Sequence, residues 1–354
     1  MTDLVSLADI ESAAGRLAGI AVRTPLVPFP QPPGSPSLLV KPESLQPVGA
    51  FKLRGAYAAI SSLPEDVRAR GVVTHSSGNH ARAVAYTARA FGIRAVLVMP
   101  HTTPGVKVQA CQALGAEVVH VEPTSEARVE TAGRLAAAHG FTMIPPYDDA
   151  RVIAGQGTVG LEIVQDLPDA RDAADASGDA GAAGDANTDA GADAEAGGDA
   201  APDAVVLVPV SGGGLISGVA AAVKALRPRA RVIGVEPEFA ADARDSLREG
   251  RPVSWAAEET GRTIADALRV QRVGDLPFAH MKAHVDAVVT VTEEEIRGTM
   301  RRLAREARLI AEPAGAVATA AVLHHRDELP EGAPYVAVLS GGNVDPALLQ
   351  EVVR

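Results

Sequence analysis

The chain holds a single cysteine, Cys111, among 354 residues, so it cannot close a disulfide on itself and a reducing compartment is expected. No apolar run approaches the roughly 18 residues that a membrane-spanning helix needs. The opening stretch "MTDLVSLADIESAAGRLAGI" carries acids and lacks the apolar core of a secretion signal. These absences predict a cytoplasmic protein with no membrane role. Basic clusters are missing too, which removes the electrostatic support that nucleic-acid binding requires. The net charge of −11 is concentrated in one place: residues 166–203 hold eleven acids and one arginine, a net of −10, and leave −1 for everything else. That segment is almost entirely Ala, Asp and Gly, with no aromatic residue. It cannot bury enough apolar surface to offset its ordering entropy, and it is predicted to be a disordered acidic insertion.

What is present is an alternation of short β-branched runs with amphipathic stretches that end at glycine. "VVT" (72–74) leads through "HSSGN" into "HARAVAYTARAF", which Gly92 stops before "RAVLVM" (94–99). Two more such units end at Gly115 and Gly140, giving a βαβαβαβ lobe with a parallel sheet. A second series follows the insertion: "AVVLVPV" (204–210), "LISGVAAAVKAL", "RVIGVE", "DAVVTV" and "YVAVLS". The predicted class is α/β, with two open, mostly parallel, doubly wound lobes. Residues 70–148 form the small lobe, and 1–69 with 149–354 the large one. Such lobes place a ligand crevice at the carboxyl ends of their strands, where "HSSGN", "SGGG" and "LSGGN" fall.

Four short stretches carry candidate chemistry. In "VPVSGGGLISG" (208–218) a strand runs through Gly212, Gly213 and Gly214 into a helix, a geometry that aims unpaired N–H groups and a positive dipole end at an anion. It lacks a P-loop lysine but approximates a dinucleotide fingerprint, with Ser217 in place of the third glycine and Glu236 some twenty residues on. By itself it does not choose between a nicotinamide dinucleotide and another phosphate. "HSSGNHA" (75–81) repeats the geometry and suits a carboxylate, although Ser77 and Asn79 are also ordinary helix caps. "LSGGNVDP" brings Ser340 to a strand end, where its hydroxyl can meet a ring nitrogen or simply belong to a turn. In "QPVGAFKLRGAY" a helix beginning near Ala50 puts Lys52 on a face with Gly55, Ala56 and Ala59. So small a face suggests a flat, wide partner, with a plain surface lysine as the alternative.

In order along the chain, "LQPVGAFKLRGAY", "THSSGNHA", "AGQGTVGLEI", "VPVSGGGLISG", "GVEPEFAAD", "TIADAL", "EPAGAVA" and "LSGGNVD" resemble the pyridoxal-phosphate enzymes of the serine racemase and threonine (serine) dehydratase family. The resemblance covers about residues 20–346 apart from the insertion, and implies the type II, tryptophan synthase β-like fold with its site between the lobes. It implies that Lys52 holds pyridoxal 5'-phosphate as a Schiff base, with Phe51 beside the ring. Gly212, Gly213, Gly214 and the Leu215 N–H would cradle the phosphate, Asn79 would meet the ring hydroxyl, and Ser340 the pyridine nitrogen. Glu312, in "EPAGAVA", would also belong to the cofactor site. Ser76, Ser77, Gly78, Asn79 and His80 would hold the substrate carboxylate.

The implied reaction is β-elimination. The amino group of L-serine or L-threonine displaces Lys52, which then removes the α-proton; the β-hydroxyl leaves, and hydrolysis releases pyruvate or 2-oxobutanoate with ammonia. Ser77, matching the position on the opposite ring face, adds racemisation as a second activity. Threo-3-hydroxyaspartate is a further candidate, with Arg134 or His120 for its second carboxylate. Glu236, Asp242 and the Ala240 carbonyl match the family's Mg, Mn or Ca site, or else form a solvated acidic loop. Pro47, Val48 and Arg82 depart from the nucleotide-regulated racemases, so ATP regulation is not expected. The short stretch beyond "LSGGNVD" argues against an amino-acid-sensing domain, and the resemblance implies a homodimer.

Overall fold

The computed structural model describes residues 3–167, 202–331 and 334–354. Most of the expected acidic insertion, 168–201, lies outside the described residues. Its expected edges do not: Asp166 closes the helix Ala150–Asp166 and pairs with Arg23, while Asp203 pairs with Arg229. Both are held by cations, so these two edge residues belong with the elements beside them.

Ten strands build two sheets. The larger has the order β1 (Val27–Phe29), β2 (Leu38–Pro42), β10 (Tyr335–Leu339), β7 (Val205–Pro209), β8 (Arg231–Pro237), β9 (Ala287–Val291). All of its pairings are parallel except β1 with β2. The smaller sheet is wholly parallel, in the order β5 (Glu117–Val121), β4 (Ala95–Pro100), β3 (Val72–Thr74), β6 (Thr142–Met143). Strands β7 and β10 are buried at every residue, which is why their sequences are unbroken apolar runs: helices cover both faces. The helices Ala150–Asp166 and Gly214–Leu226 pack backbone to backbone. A methyl at Gly218 would stand 2.3 Å from the Ile153 carbonyl, so only glycine permits the approach.

Strand order fixes where ligands go. In the larger sheet the chain runs outward from β7 to β8 and β9, then returns to place β10 on the other flank of β7. In the smaller sheet it runs from β3 to β4 and β5, then returns to place β6 on the other side of β3. Each reversal opens a crevice beyond the carboxyl ends of the two strands involved. The loops after β7, β10, β3 and β6 are therefore the candidate site.

A buried ion cluster fixes the helix Lys52–Ser61 to the larger sheet. Arg54 donates to both oxygens of Glu43 (2.7 and 2.8 Å), to both of Glu162 (2.7 and 2.9 Å), to the Thr158 hydroxyl (3.2 Å) and to the Val22 carbonyl (3.2 Å). Lys41 completes the charge balance with 2.7 Å to Glu162. Burial would raise the Glu43 carboxyl, but Arg54 and Lys41 outweigh it and hold it below its usual range. Arg54→Met leaves Lys41 alone against two buried carboxylates. It is expected to cost about 3–5 kcal/mol in urea unfolding, far more than a surface pair would.

Candidate active site

Lys52 opens its helix directly behind β10. The Phe51 N–H donates to the Ser340 carbonyl at 3.0 Å, and Ala50 forms an antiparallel bridge with Gly341. These bonds hold residues 50 and 51 to the end of β10, so the helix starts at Lys52 and not near Ala50. The small residues beside Lys52 have a different purpose from the one expected. A methyl at Gly55 would lie 2.2 Å from the Gln156 amide nitrogen, and Ala56 and Ala59 pack into the core of the smaller lobe. That face is small because helices meet there, and the flat partner inferred from it is not what it packs against.

The lysine itself is half-buried. Its Nζ donates to the Pro146 carbonyl at 2.7 Å and sits 5.1 Å from the Phe51 ring centroid, and no carboxylate among the described residues pairs with it. Burial lowers its pKa to about 8. At pH 7 roughly one molecule in ten then carries a neutral amine, against about one in three thousand for an ordinary lysine.

Two helix starts converge on this amine, and neither has a side-chain cap. Asn79–Phe91 follows Gly78, and Gly214–Leu226 follows Gly213, whose φ of +88° requires glycine. Uncapped first-turn amides are donors awaiting an acceptor. Capping by Ser77 or Asn79, the ordinary alternative, is not what the structure shows. Ser76 Oγ instead accepts from Gly78 N–H at 3.4 Å, within the loop that carries Ser77. Gly212 and Gly214 are explained from another side, since a methyl at either would meet Tyr147 at 2.3 or 2.9 Å. The Ser217 hydroxyl donates to the Gly213 carbonyl at 2.7 Å, a buried internal bond that accounts for the missing third glycine.

Asn79 Nδ2 donates to Glu312 Oε1 at 2.7 Å, joining the smaller lobe to the larger. Burial, aided by Asp266 and opposed by Asn79 and Lys107, raises Glu312 to about 7. Ser340 is buried and its hydroxyl donates to the Ala314 carbonyl at 3.3 Å. His80 does not offer its ring to the crevice: the imidazole is buried, with Nε2 3.0 Å from the Ile144 carbonyl. A carbonyl only accepts, so Nε2 carries the proton. Burial, then Lys52, pushes the ring down to about 3 and keeps it neutral. The unprotonated Nδ1 can only accept, so for a carboxylate the backbone N–H of His80 is what remains.

Sequence reading missed the segment after β6. Pro146 accepts from Lys52, Tyr147 covers the glycine loop, Asp148 accepts from the Asp275 and Leu276 amides, and Asp149 caps its own helix. "PPYDDA" has no motif-like spacing; the signal was its place after a strand at a reversal of sheet order. Arg128 was also missed. It hydrogen-bonds the Thr124 carbonyl and the Ser125 hydroxyl and has no acidic partner among the described residues. Its charge reaches His75, which burial and then Arg128 lower. It also reaches Tyr147, where it opposes a rise caused by burial, Asp148 and Asp242. His120, by contrast, is exposed on the edge strand β5, and Arg134 lies along the helix Ser125–His139.

Glu236 ends in a buried position at the close of β8, accepting from the Ala243 and Arg244 amides at 3.0 and 2.9 Å. Each oxygen accepts one amide of a helix start and keeps a second lone pair. Asp242 beside it is also buried; the Asp242 and Val273 amides lie close enough to oppose its rise, but neither oxygen completes a hydrogen bond of good geometry. Burial raises both groups, Asp242 to about 7 and Glu236 well above its usual range, and Asp242 adds to the rise of Glu236.

The fold brings a lysine amine that meets the Pro146 carbonyl into the same crevice as two helix starts without side-chain caps. Residues 18–341 match the family described as "Pyridoxal-phosphate dependent enzyme", and the chain belongs to it. A relative from Thermotoga maritima, "L-threonine ammonia-lyase", is 38% identical across 99% of this chain and 79% of its own length. The "L-threo-3-hydroxyaspartate ammonia-lyase" of Saccharomyces cerevisiae is 37% identical across 86% of this chain and 82% of its own. Among solved structures, a T.th. threonine deaminase matches with a TM-score of 0.81 and 39% identity, over 96% of this chain and 99% of that one.

Because the amine must shed a proton before it attacks an aldehyde, capture of pyridoxal phosphate by cofactor-free protein should quicken about tenfold per pH unit below about 8 and level off above it. Stopped-flow absorbance measures the rate, and borohydride trapping with peptide mass spectrometry should place the adduct on Lys52.

Proposed function

We propose that this enzyme converts L-threonine and L-serine to 2-oxobutanoate and pyruvate with release of ammonia. The observation that carries the proposal is the half-buried Lys52 amine, which has no carboxylate partner among the described residues and lies near two uncapped helix starts. When bound, pyridoxal phosphate supplies an aldehyde that joins amines and a ring that accepts the electrons left on the α-carbon. The uncapped start at Gly213, Gly214 and Leu215 would receive its phosphate, Ser340 its pyridine nitrogen and Asn79 its ring hydroxyl, with Phe51 and Glu312 flanking. A serine at the ring nitrogen leaves that nitrogen neutral, a moderate sink that suits loss of a β-hydroxyl.

The other start, Ser76 to His80, would hold the substrate carboxylate with backbone N–H groups. Lys52, neutral once displaced, takes the α-proton, and the β-hydroxyl departs with a proton as water. Ser77 has a hydroxyl that can return a proton to the α-carbon from the other face, which would give racemisation. A homodimer in the cytoplasm goes with this reading. Among the described residues no helix is long and apolar enough to cross a membrane.

Arg128 favours a second substrate, threo-3-hydroxyaspartate. It is a half-buried cation without an acidic partner among the described residues, near the loop proposed to hold the α-carboxylate, and it suits a second carboxylate better than Arg134 or His120. Keto-acid release from serine, threonine and hydroxyaspartate isomers tests both readings. Lys52→Ala should abolish release from all of them. Arg128→Ala should lower kcat/KM for hydroxyaspartate about 10- to 100-fold, the worth of one charge-assisted hydrogen bond, and alter threonine turnover much less.

Glu236, Asp242 and the Ala240 carbonyl would hold a divalent cation. The unpartnered oxygens of buried Asp242 beside a second raised carboxylate are what a hard cation satisfies. Without the cation, the raised carboxyls bind protons more tightly folded than unfolded. Their contribution to stability is then complete below about pH 4 and lost as pH rises through about 7. Thermal melting should accordingly show magnesium or manganese raising Tm more at pH 8 than at pH 5, and Asp242→Asn should remove that difference.

A further inference from the structure

Four polar side chains from both lobes form one directed chain of hydrogen bonds that passes through Asn79. Arg82 Nη1 donates to Asn343 Oδ1 at 2.8 Å, Asn343 Nδ2 donates to Asn79 Oδ1 at 2.8 Å, and Asn79 Nδ2 donates to Glu312 Oε1 at 2.7 Å. The direction follows from the ends. A guanidinium can only donate, so Asn343 must turn its oxygen to Arg82 and its NH2 to Asn79. Asn79 must then turn its oxygen to Asn343 and its NH2 to Glu312.

Hydrogen counting gives the consequence. Both hydrogens of Asn343 Nδ2 are used, the second on the Val48 carbonyl at 2.9 Å. Only one hydrogen of Asn79 Nδ2 is used, leaving one donor that the crevice can receive. Asn343 is also wedged in place. The Gly342 N–H donates to the Gly49 carbonyl at 2.9 Å, and a side chain at Gly49 (φ +75°) would begin 2.5 Å from Asn343 Oδ1. One amide thus ties together the loop leading to Lys52, the helix that starts at Asn79 and the segment that follows Ser340.

We propose that Asn343, oriented by Arg82, is a positioning residue that fixes Asn79 as a hydrogen-bond donor toward the cofactor's ring oxygen. The proposal rests on the reading that Asn79 meets that oxygen. A donor there stabilises an ionised ring oxygen, whereas a reversed Asn79 amide would set its carbonyl oxygen against it. Asn343→Asp supplies that reversal at nearly unchanged size, with loss of the bond to the Val48 carbonyl. The new carboxylate accepts from both Arg82 and Asn79, turning the Asn79 oxygen to Glu312 and the crevice.

The test uses the full-chain holoenzyme. Asn343→Asp is expected to weaken pyridoxal phosphate binding about tenfold, the equivalent of one ordinary hydrogen bond, and to shift the pH midpoint of its visible absorbance by about one unit. Arg82→Met, which removes the fixed end without touching either amide, should shift the midpoint in the same direction by less, and Arg82→Lys should restore it. In an Asn79→Ala background, Asn343→Asp should add nothing further, because its effect passes through Asn79. An unshifted midpoint in both Asn343→Asp and Arg82→Met, or a full additive effect in the Asn79→Ala background, overturns the inference. An absorbing adduct that survives in Lys52→Ala overturns the cofactor reading instead.

Discussion

The bond from the Phe51 N–H to the Ser340 carbonyl is the constraint on which the site depends, because it fastens the start of the Lys52 helix to the end of β10. A lysine side chain has four rotatable bonds and reaches far, so its amine can be placed only if the backbone beneath it is fixed. That fixing comes from both ends of the same short stretch. Ahead of Lys52, residues 50 and 51 are bonded to β10; behind it, Arg54 is locked into the buried ion cluster. Tilting or sliding the helix would break several bonds to charged groups at once. The amine therefore meets the Pro146 carbonyl, which follows the last strand of the smaller sheet, while the residues just ahead of it are bonded to the end of β10 in the larger sheet.

The candidate site holds polar groups without protein partners. Ser6, Thr124, Asp149, Thr292 and Asp345 cap their own helices, and Glu236 and Asp148 accept from the first amides of the helices at Asp242 and Asp275. The helices at Asn79 and Gly214 have no such side-chain acceptor, and the oxygens of buried Asp242 complete no hydrogen bond. Open caps and unpaired buried carboxylates each cost about 1–3 kcal/mol, which a ligand recovers by supplying the missing partner. The two open starts lie at the two reversals of strand order, with the Gly214 start against Tyr147, whereas Asp242 stands apart from them after β8.

The alternation of strand and helix was plain in the sequence because parallel strands covered on both faces read as continuous apolar runs, and the helices between them stop at glycine. The glycine loop and Lys52 were legible for a related reason, since strand, loop and helix follow one another without interruption. The reasons assigned to them were less secure. Gly55 is small for Gln156, and Gly212 and Gly214 are small for Tyr147, partners that lie far away in sequence. Arg128 looked like any helix-surface cation until the fold brought it near His75, whereas His120 and Arg134, which looked equally apt, lie elsewhere. Spacing along the chain reports local geometry; it is silent about which distant side chain fills the space that a glycine leaves.

The two lobes meet through polar groups at the crevice. Asn79 bonds Glu312, Arg82 bonds Asn343, and Lys107 pairs with Asp266 at 2.6 Å, each joining the smaller lobe to the larger. The Lys107 pair is partly exposed and screened by salt, so it contributes little and can open readily. The Asn79–Glu312 bond is different: burial holds the Glu312 carboxyl near neutrality, and losing its partner would leave a buried acceptor unpaired.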